Sequence, residues 1–413
     1  MAPLNDVCLL TPGHLTSTPR LVKAANSLAS AGYKVHVVAG RYFAPAESLD
    51  QTILAPAEWS CTRVAYHRGI RGILLRLRRE FARRRMLHGS RPGTHTAAQA
   101  LHAGVPALVA AAIRVPAAFY FGFGGLPGLA AAATAASRRS VAYGFDAEDW
   151  HEGESDLVQQ NRALARAVPH VLGELLPRAS FVSAASPLIA EAYARTYSVK
   201  PVCLLNVFPL AEAPTVPAVR SAPTEQQPAA LYWFSQTIGP GRGLEQMIDV
   251  VARMRTPTRL ELRGFVADAY QTELTTRARI VGARVPLFLP PAPASEMARL
   301  ASHAHLGLSL EQPHPLNHDL CLGNKIFTYL LGGVPVALTP TSAQRALATD
   351  LGSAALIVDL TEPSTAAANL DRWFSGQPAT AATEAWRLGH ERYNWDCEQR
   401  VLLDALRPYL RKR

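Results

Sequence analysis

The chain repeats one rhythm: a short apolar run, a polar or glycine-rich loop, then a segment whose apolar residues recur at helical spacing. Residues 7–10, Val-Cys-Leu-Leu, are the first such run and predict a buried strand. Thr18 and Pro19 mark the start of a helix, because proline loses nothing in a first turn whose N–H groups have no intrahelical partner. Leu21, Val22, Ala25, Leu28 and Ala29 then keep helical spacing, Gly32 supplies the stop, and residues 35–39 form a second strand. Residues 118–121 and 141–145 predict later parallel strands, with the alanine-rich stretch 126–137 as the helix between them.

The rhythm restarts near residue 229. Residues 231–234 predict a strand, 235–243 a glycine-rich loop, and Leu244, Met247, Ile248 and Val251 a helix leading to a strand at 260–262. A strand at 306–310 ends in Glu311, and a turn-rich polar loop follows. A helix opens at Asn324-Lys325 and stops at Gly332-Gly333, before the next strand at 334–338. Residues 209–228 are rich in Pro, Ala and Gln without an apolar period, as a linker would be. The expected fold class is α/β: two Rossmann-like, doubly wound domains, 1–207 and 229–390, joined by 208–228 and followed by a tail, 391–413. Such sheets bind ligands at the carboxyl ends of their strands, here expected to face across a cleft.

A chain of 413 residues with 48% apolar and 18% charged residues has enough apolar surface for two cores. Its five cysteines are scattered with no Cys-x-x-Cys pair, which argues against a disulfide scaffold and against a zinc site. His314 and His318 have the spacing of a metal pair, but Pro313 and Pro315 break any helix there and no third ligand is near, so no metal is expected. The first residues carry no leader pattern, and every long apolar stretch is interrupted well before about 20 residues, so the expected location is cytoplasmic. The net charge of +10 asks for an anionic partner, which nucleic acid, anionic lipid or a phosphorylated small molecule would all satisfy. Nucleic acid is not expected, because the basic residues show neither aromatic interleaving nor a known module.

The candidate chemistry lies at loop ends. The N-terminus of the helix at Asn324 offers unpaired N–H groups and the positive end of a dipole to a phosphate, and Lys325 would add a mobile point charge. Gly239-Pro240-Gly241-Arg242-Gly243 is either a phosphate loop or a tight turn with a solvent-facing arginine. Its Gly-x-Gly-x-Gly spacing is not the dinucleotide fingerprint, and no clear ribose acid follows it, which argues against a dinucleotide oxidoreductase. Asp146, Glu148, Asp149 and His151 cluster at one strand end, where they suit hydroxyl binding or general-base work, or simply form a solvated turn capping the next helix. His14 and Thr16 lie in the first loop, and His14 suits a loop hydrogen-bonding role as well as a catalytic one. From Gly69 to Leu87, Ile70, Ile73, Leu74, Leu77 and Phe81 share one helical face while arginines crowd the rest. Such a helix either lies on an anionic membrane surface or packs as an ordinary helix with a basic outer face.

The strand, glutamate, loop and "NKIFTYLLGGVPV" together resemble the donor site of retaining, nucleotide-sugar-dependent glycosyltransferases of the GT-B fold, in the family 4-like group. "LYWFSQTIGPGRGLEQMIDVV" resembles the group's first C-domain strand and loop, "AYGFDAEDWHEGE" its acceptor-side acidic strand end, and "SFVSAASPLIAEAYARTY" its last N-domain strand and helix. "ERYNWDCEQRVLLDAL" resembles its tail helix, which crosses back to the N-domain. The resemblance implies a nucleotide-diphosphate sugar as co-substrate, no other cofactor, no metal, and an acceptor that is a glycan, a lipid-linked sugar or a natural product. It implies Glu311 beside the transferred sugar, and Gly241, Arg242, Gly243, Asn324 and Lys325 at the diphosphate. His14 and Asp149 are further catalytic candidates, and Asp146, Glu148 and His151 are acceptor contacts. The chain departs from the group at Thr328, where a glutamate usually holds the ribose. Asp319 stands at the right spacing from Glu311 but falls before the helix. A sugar epimerase and a non-catalytic binding or regulatory homologue share the same fold signals.

Overall fold

The structure, a computed structural model, describes residues 5–66, 69–88, 92–154, 160–376 and 378–410. The first apolar run folds as β1 (Asn5–Thr11), and Val7, Cys8, Leu9 and Leu10 are fully buried. A strand apolar on both faces belongs inside a parallel sheet covered by helices on either side. β1 pairs in parallel with β2 (Val35–Arg41) and β4 (Ala117–Gly122). With β3 (Ser60–Ala65), β5 (Ala142–Ala147), β6 (Phe181–Ala184) and β7 (Val202–Cys203) these form a seven-stranded sheet ordered β3-β2-β1-β4-β5-β6-β7. The helix Pro19–Ser30 covers it with Leu21, Ala25 and Leu28 buried, as the spacing predicts, joined by Ala24, while Val22 and Ala29 are only partly buried.

The second sheet has six strands, β8 (Ala229–Ile238), β9 (Thr258–Val266), β10 (Leu287–Leu289), β11 (Leu306–Ser309), β12 (Val336–Leu338) and β13 (Ala355–Ile357), in the order β10-β9-β8-β11-β12-β13. Strand order reverses beside the first strand of each sheet, which places the switch points at β1/β4 and β8/β11. The chain divides into two compact units, Met1–Leu204 with Gln399–Arg413, and Leu205–Glu398.

The helix Asn324–Leu331 is buried from Ile326 onward, and its Tyr329 hydroxyl donates to the carbonyls of Tyr232 (3.0 Å) and Leu308 (3.2 Å), fixing the helix over β8 and β11. A Cβ on Gly307 would stand 2.3 Å from the Tyr329 ring, so only glycine lets that ring in. Residues 209–228 contain one short turn, Leu210–Glu212, and no strand or α-helix. Arg220 nevertheless ties them to the second unit by donating to the carbonyls of Ser302 (2.6 Å) and Gly333 (3.0 Å). The helix Trp395–Leu406 begins with the Trp395 N–H on the Phe208 carbonyl at 2.8 Å. Its continuation belongs to the first unit, where Ser27 donates to Gln399 (3.0 Å) and Tyr409 donates to the Ser180 carbonyl (2.6 Å) and stacks on Phe119.

The helix Gly69–His88 packs differently from an ordinary amphipathic helix. Among the described residues, Gly72, Leu75, Ala82 and Met86 are buried, while Ile70, Ile73, Leu74, Leu77 and Phe81 face outward. Packing by its apolar stripe under a basic outer face is therefore corrected: the stripe itself is the outer face. Among the described residues no single helix is long and apolar enough to cross a membrane.

Candidate active site

In the second unit β11 delivers Glu311 to the carboxyl end of the sheet. Ser309, the last residue of the strand, donates its hydroxyl to Glu311 Oε2 at 2.6 Å, and Gln344 Nε2 donates to the same oxygen at 3.1 Å. Oε1 faces Lys325 Nζ at 3.5 Å. Burial alone would raise the Glu311 pKa, but the Lys325 ammonium and the Ser309 hydroxyl outweigh it and hold the carboxyl below its ordinary value. The carboxylate is thus anionic and fixed. Lys325 is not the mobile charge expected, since it is held between Glu311 and the Trp233 ring, 5.5 Å from the centroid.

The helix that carries Lys325 starts bare. Gly323 precedes it with no side chain to cap it, and there is no acid in the first turn. The N–H groups of Asn324 and Lys325 have no acceptor among the described residues. A Cβ at Gly323 would stand 3.0 Å from Glu311 Oε1, so the glycine brings the open helix end up to the carboxylate. The glycine loop after β8 arrives beside them. Gly241 and Gly243 have φ of 73° and 72°, where other residues are strained. Gly243 abuts the side chains of Leu310 and Gln312, which flank Glu311. Arg242 is exposed and makes no hydrogen bond or ion pair with the described residues.

Thr328 requires a correction. Its hydroxyl is buried and donates back to the Asn324 carbonyl at 3.1 Å, inside the helix, so it has no reach to a ligand. Asp319, in the short helix Leu316–Leu320, receives the Ser342 N–H (2.8 Å) and hydroxyl (2.6 Å) and is a local cap.

In the first unit the structure corrects two further expectations. His14 is buried, its Nδ1 lies 2.6 Å from Asp50 Oδ2, and its Nε2 accepts the N–H groups of Tyr42 and Phe43, both at 3.0 Å. An Nε2 that accepts two N–H groups leaves the ring proton on Nδ1, facing Asp50, so neither nitrogen is available as a base. Asp50 also receives the Thr16 N–H at 2.8 Å and pairs with Arg63, so the group anchors the first loop. That loop lines a pocket of about 240 Å³ with Thr11, Gly13, Ser17, Tyr42, His102 and Gly124. Asp146 is likewise not an acceptor contact. It is 1% exposed, both its oxygens are taken by Arg20 (2.6 and 2.7 Å), and the Ser183 hydroxyl adds a third bond at 2.6 Å.

The rest of the acidic run lies past the end of β5. Glu148 follows β5 half-buried, and its pKa is pushed up to about 7: burial raises it most, Arg20 opposes, Asp146 and Asp149 raise it further, and Lys23 opposes. The Asp149 carbonyl receives the Tyr193 hydroxyl at 2.9 Å. His151 is buried on the one-turn helix His151–Gly153, with Nδ1 on Glu154 at 2.9 Å and its ring edge against Gly125. Burial lowers its basicity, but the Glu154 hydrogen bond and charge more than offset that and raise its pKa. Sequence reasoning missed Ser309, Gln344, Arg20, Asp50 and Arg63. The one available signal was Arg20, which falls on the buried face of its helix beside Ala24 and Ser27.

No family model and no curated protein sequence matches the chain. Solved structures do. HepE from Anabaena, crystallised with UDP, superposes with a TM-score of 0.67 at 15% identity over 98% of this chain and 100% of that one. Sucrose-phosphate synthase from Thermosynechococcus elongatus gives 0.65 at 13% identity over 98% of both chains. WaaG, a glycosyltransferase involved in lipopolysaccharide biosynthesis, gives 0.58 at 13% identity over 97% and 99%. With two parallel doubly wound sheets and likeness of this extent to these structures, the chain has the GT-B fold.

Proposed function

We propose that the chain transfers a sugar from a nucleoside-diphosphate sugar, held by its second unit, to a hydroxyl acceptor. The observation that carries this is the anionic Glu311 fixed beside a bare helix N-terminus and Lys325. A diphosphate would bind the open N–H groups of Asn324 and Lys325 and draw counter-charge from Lys325 and Arg242, which supply cations without a metal. Glu311 would then face the sugar, holding its hydroxyls or supporting positive charge at the anomeric carbon. The complexes of HepE with UDP and UDP-glucose support this donor class. Retention belongs to the proposal through the family resemblance, with the leaving phosphate taking the acceptor proton.

Arg242 tests the donor site. One charge-assisted hydrogen bond contributes roughly 1.5–3 kcal/mol, so Arg242→Ala should weaken donor binding about 10- to 100-fold. Calorimetric titration with a panel of nucleotide-sugars measures this, and unchanged affinity would reject the assignment.

Glu148 is assigned to the acceptor hydroxyl, which only the ionised carboxylate can hold as a full acceptor. Its pKa near 7 means that it is protonated below that pH and ionised above it. The acceptor KM is therefore expected to fall as pH rises through about 7, and Glu148→Gln should flatten that limb. A pH profile of the acceptor KM for both proteins checks it; a limb that persists in Glu148→Gln would assign the effect elsewhere.

A second reading, a binding protein without turnover, is favoured by Thr328 alone, whose buried hydroxyl leaves the ribose without the usual carboxylate.

A further inference from the structure

The helix Gly69–His88 carries most of its large apolar side chains exposed. Ile70 is 79% exposed, Leu77 62% and Phe81 64%, and Ile73 and Leu74 are half exposed beside them. At the turn of an α-helix, positions 70, 77 and 81 stack into one stripe, with 73 and 74 on either side of it. Leu75, Ala82 and Met86 lie opposite and are buried, so the helix is already anchored to its unit by the other face. The stripe is surplus to folding. An exposed apolar stripe of this length marks a docking surface.

The charges around it choose the partner. Arg78 and Arg85 border the stripe on one side, Arg84 lies within it, and on the other side Arg76 stands just beyond Glu80. All four are exposed and have no carboxylate partner among the described residues; the one acid of the helix, Glu80, pairs with Arg79 and Arg83. A second copy of this face would set arginine against arginine, which is repulsive. A surface that is apolar within and anionic at its rim satisfies both sets of groups, since arginines reach outward while the apolar side chains sink between acyl chains. The apolar surface continues past the helix, where a groove of about 480 Å³ runs between Leu74, Phe81, His95 and Pro106.

We infer that this helix docks the chain on an anionic lipid bilayer, lying in the plane of the interface. The inference does not depend on whether the chain transfers sugar, because no residue of the donor or acceptor sites lies on the helix.

Co-sedimentation of the full chain with phosphatidylcholine vesicles, with and without phosphatidylglycerol, tests it. Binding is expected to the anionic vesicles and to be much weaker to the neutral ones. Leu77→Glu/Phe81→Glu should lower partitioning by about 100-fold or more, since two side chains no longer enter the bilayer and two negative charges are added. Arg84→Glu/Arg85→Glu should lower it by roughly 25-fold or more, at about fivefold per arginine. All of these side chains are exposed, so the melting temperature should stay at the wild-type value, and that control separates lost docking from lost folding. Failure to bind either vesicle overturns the inference, as does undiminished binding by Leu77→Glu/Phe81→Glu. Sedimentation velocity without lipid supplies the remaining arm. Self-association that Leu77→Glu/Phe81→Glu abolishes would identify the stripe as a protein interface and overturn the lipid assignment.

Discussion

Glu311→Gln is expected to lower turnover by about 100-fold while leaving affinity for the nucleoside diphosphate nearly unchanged. The substitution keeps the shape of the side chain, and Ser309 and Gln344 can still hold an amide oxygen at the same place. It removes the negative charge, which the reacting sugar would feel most when positive charge develops at its anomeric carbon. It also releases Lys325 from its ion pair at 3.5 Å, freeing that cation for the diphosphate, so ground-state affinity has no reason to fall. Steady-state transfer or donor hydrolysis, run beside calorimetry with the free nucleotide, separates the two effects. Unchanged turnover would remove Glu311 from the chemistry, and a parallel collapse of nucleotide affinity would make it a binding residue instead.

Asp146→Asn should destabilise the first unit by about 3–5 kcal/mol, because it strands the Arg20 guanidinium, only 2% exposed, without its counter-charge. Arg20 would keep its bond to the Leu204 carbonyl at 2.9 Å, which cannot neutralise it. Urea unfolding measures the loss as a lower midpoint with a similar slope. Replacing both partners by apolar residues, Arg20→Met with Asp146→Leu, should recover much of the stability, since no charge then stays buried. If Asp146 instead held the acceptor, Asp146→Asn would raise the acceptor KM and leave the midpoint where it was.

The strand at residues 7–10 was legible as an unbroken apolar run, and the helices Pro19–Ser30 and Asn324–Leu331 as periodic runs bounded by Thr-Pro, glycine or a polar loop. Short edge strands such as β7 and β10 are apolar too, residues 202–205 repeating the Val-Cys-Leu-Leu of residues 7–10, but their place is set by the neighbour they pair with. Glu311 and Lys325 were legible as candidates because strand end, loop and helix start are consecutive in the chain. Gln344, which holds Glu311, comes from the helix Ser342–Leu351 and has no local mark. Asp146 reads as an exposed acid until Arg20, far away in sequence, is seen beside it. His14 reads equally as a loop hydrogen-bonding group or a base until Asp50, Tyr42 and Phe43 close around it. Periodicity also identified the apolar face of the helix Gly69–His88, but periodicity does not say what covers a face. The face that packs is the other one, with Gly72, Leu75, Ala82 and Met86.

The central claim, that the chain turns over a nucleotide-sugar, is tested most directly by measuring release of free nucleoside diphosphate from a panel of nucleotide-sugars incubated with the wild-type protein. One donor is expected to lose its sugar, slowly to water and faster once a hydroxyl acceptor is supplied, with both rates lowered in Glu311→Gln. Tight binding of a nucleotide-sugar with no release of nucleoside diphosphate from any donor, with or without acceptors, would contradict it and leave a binding protein built on the same fold.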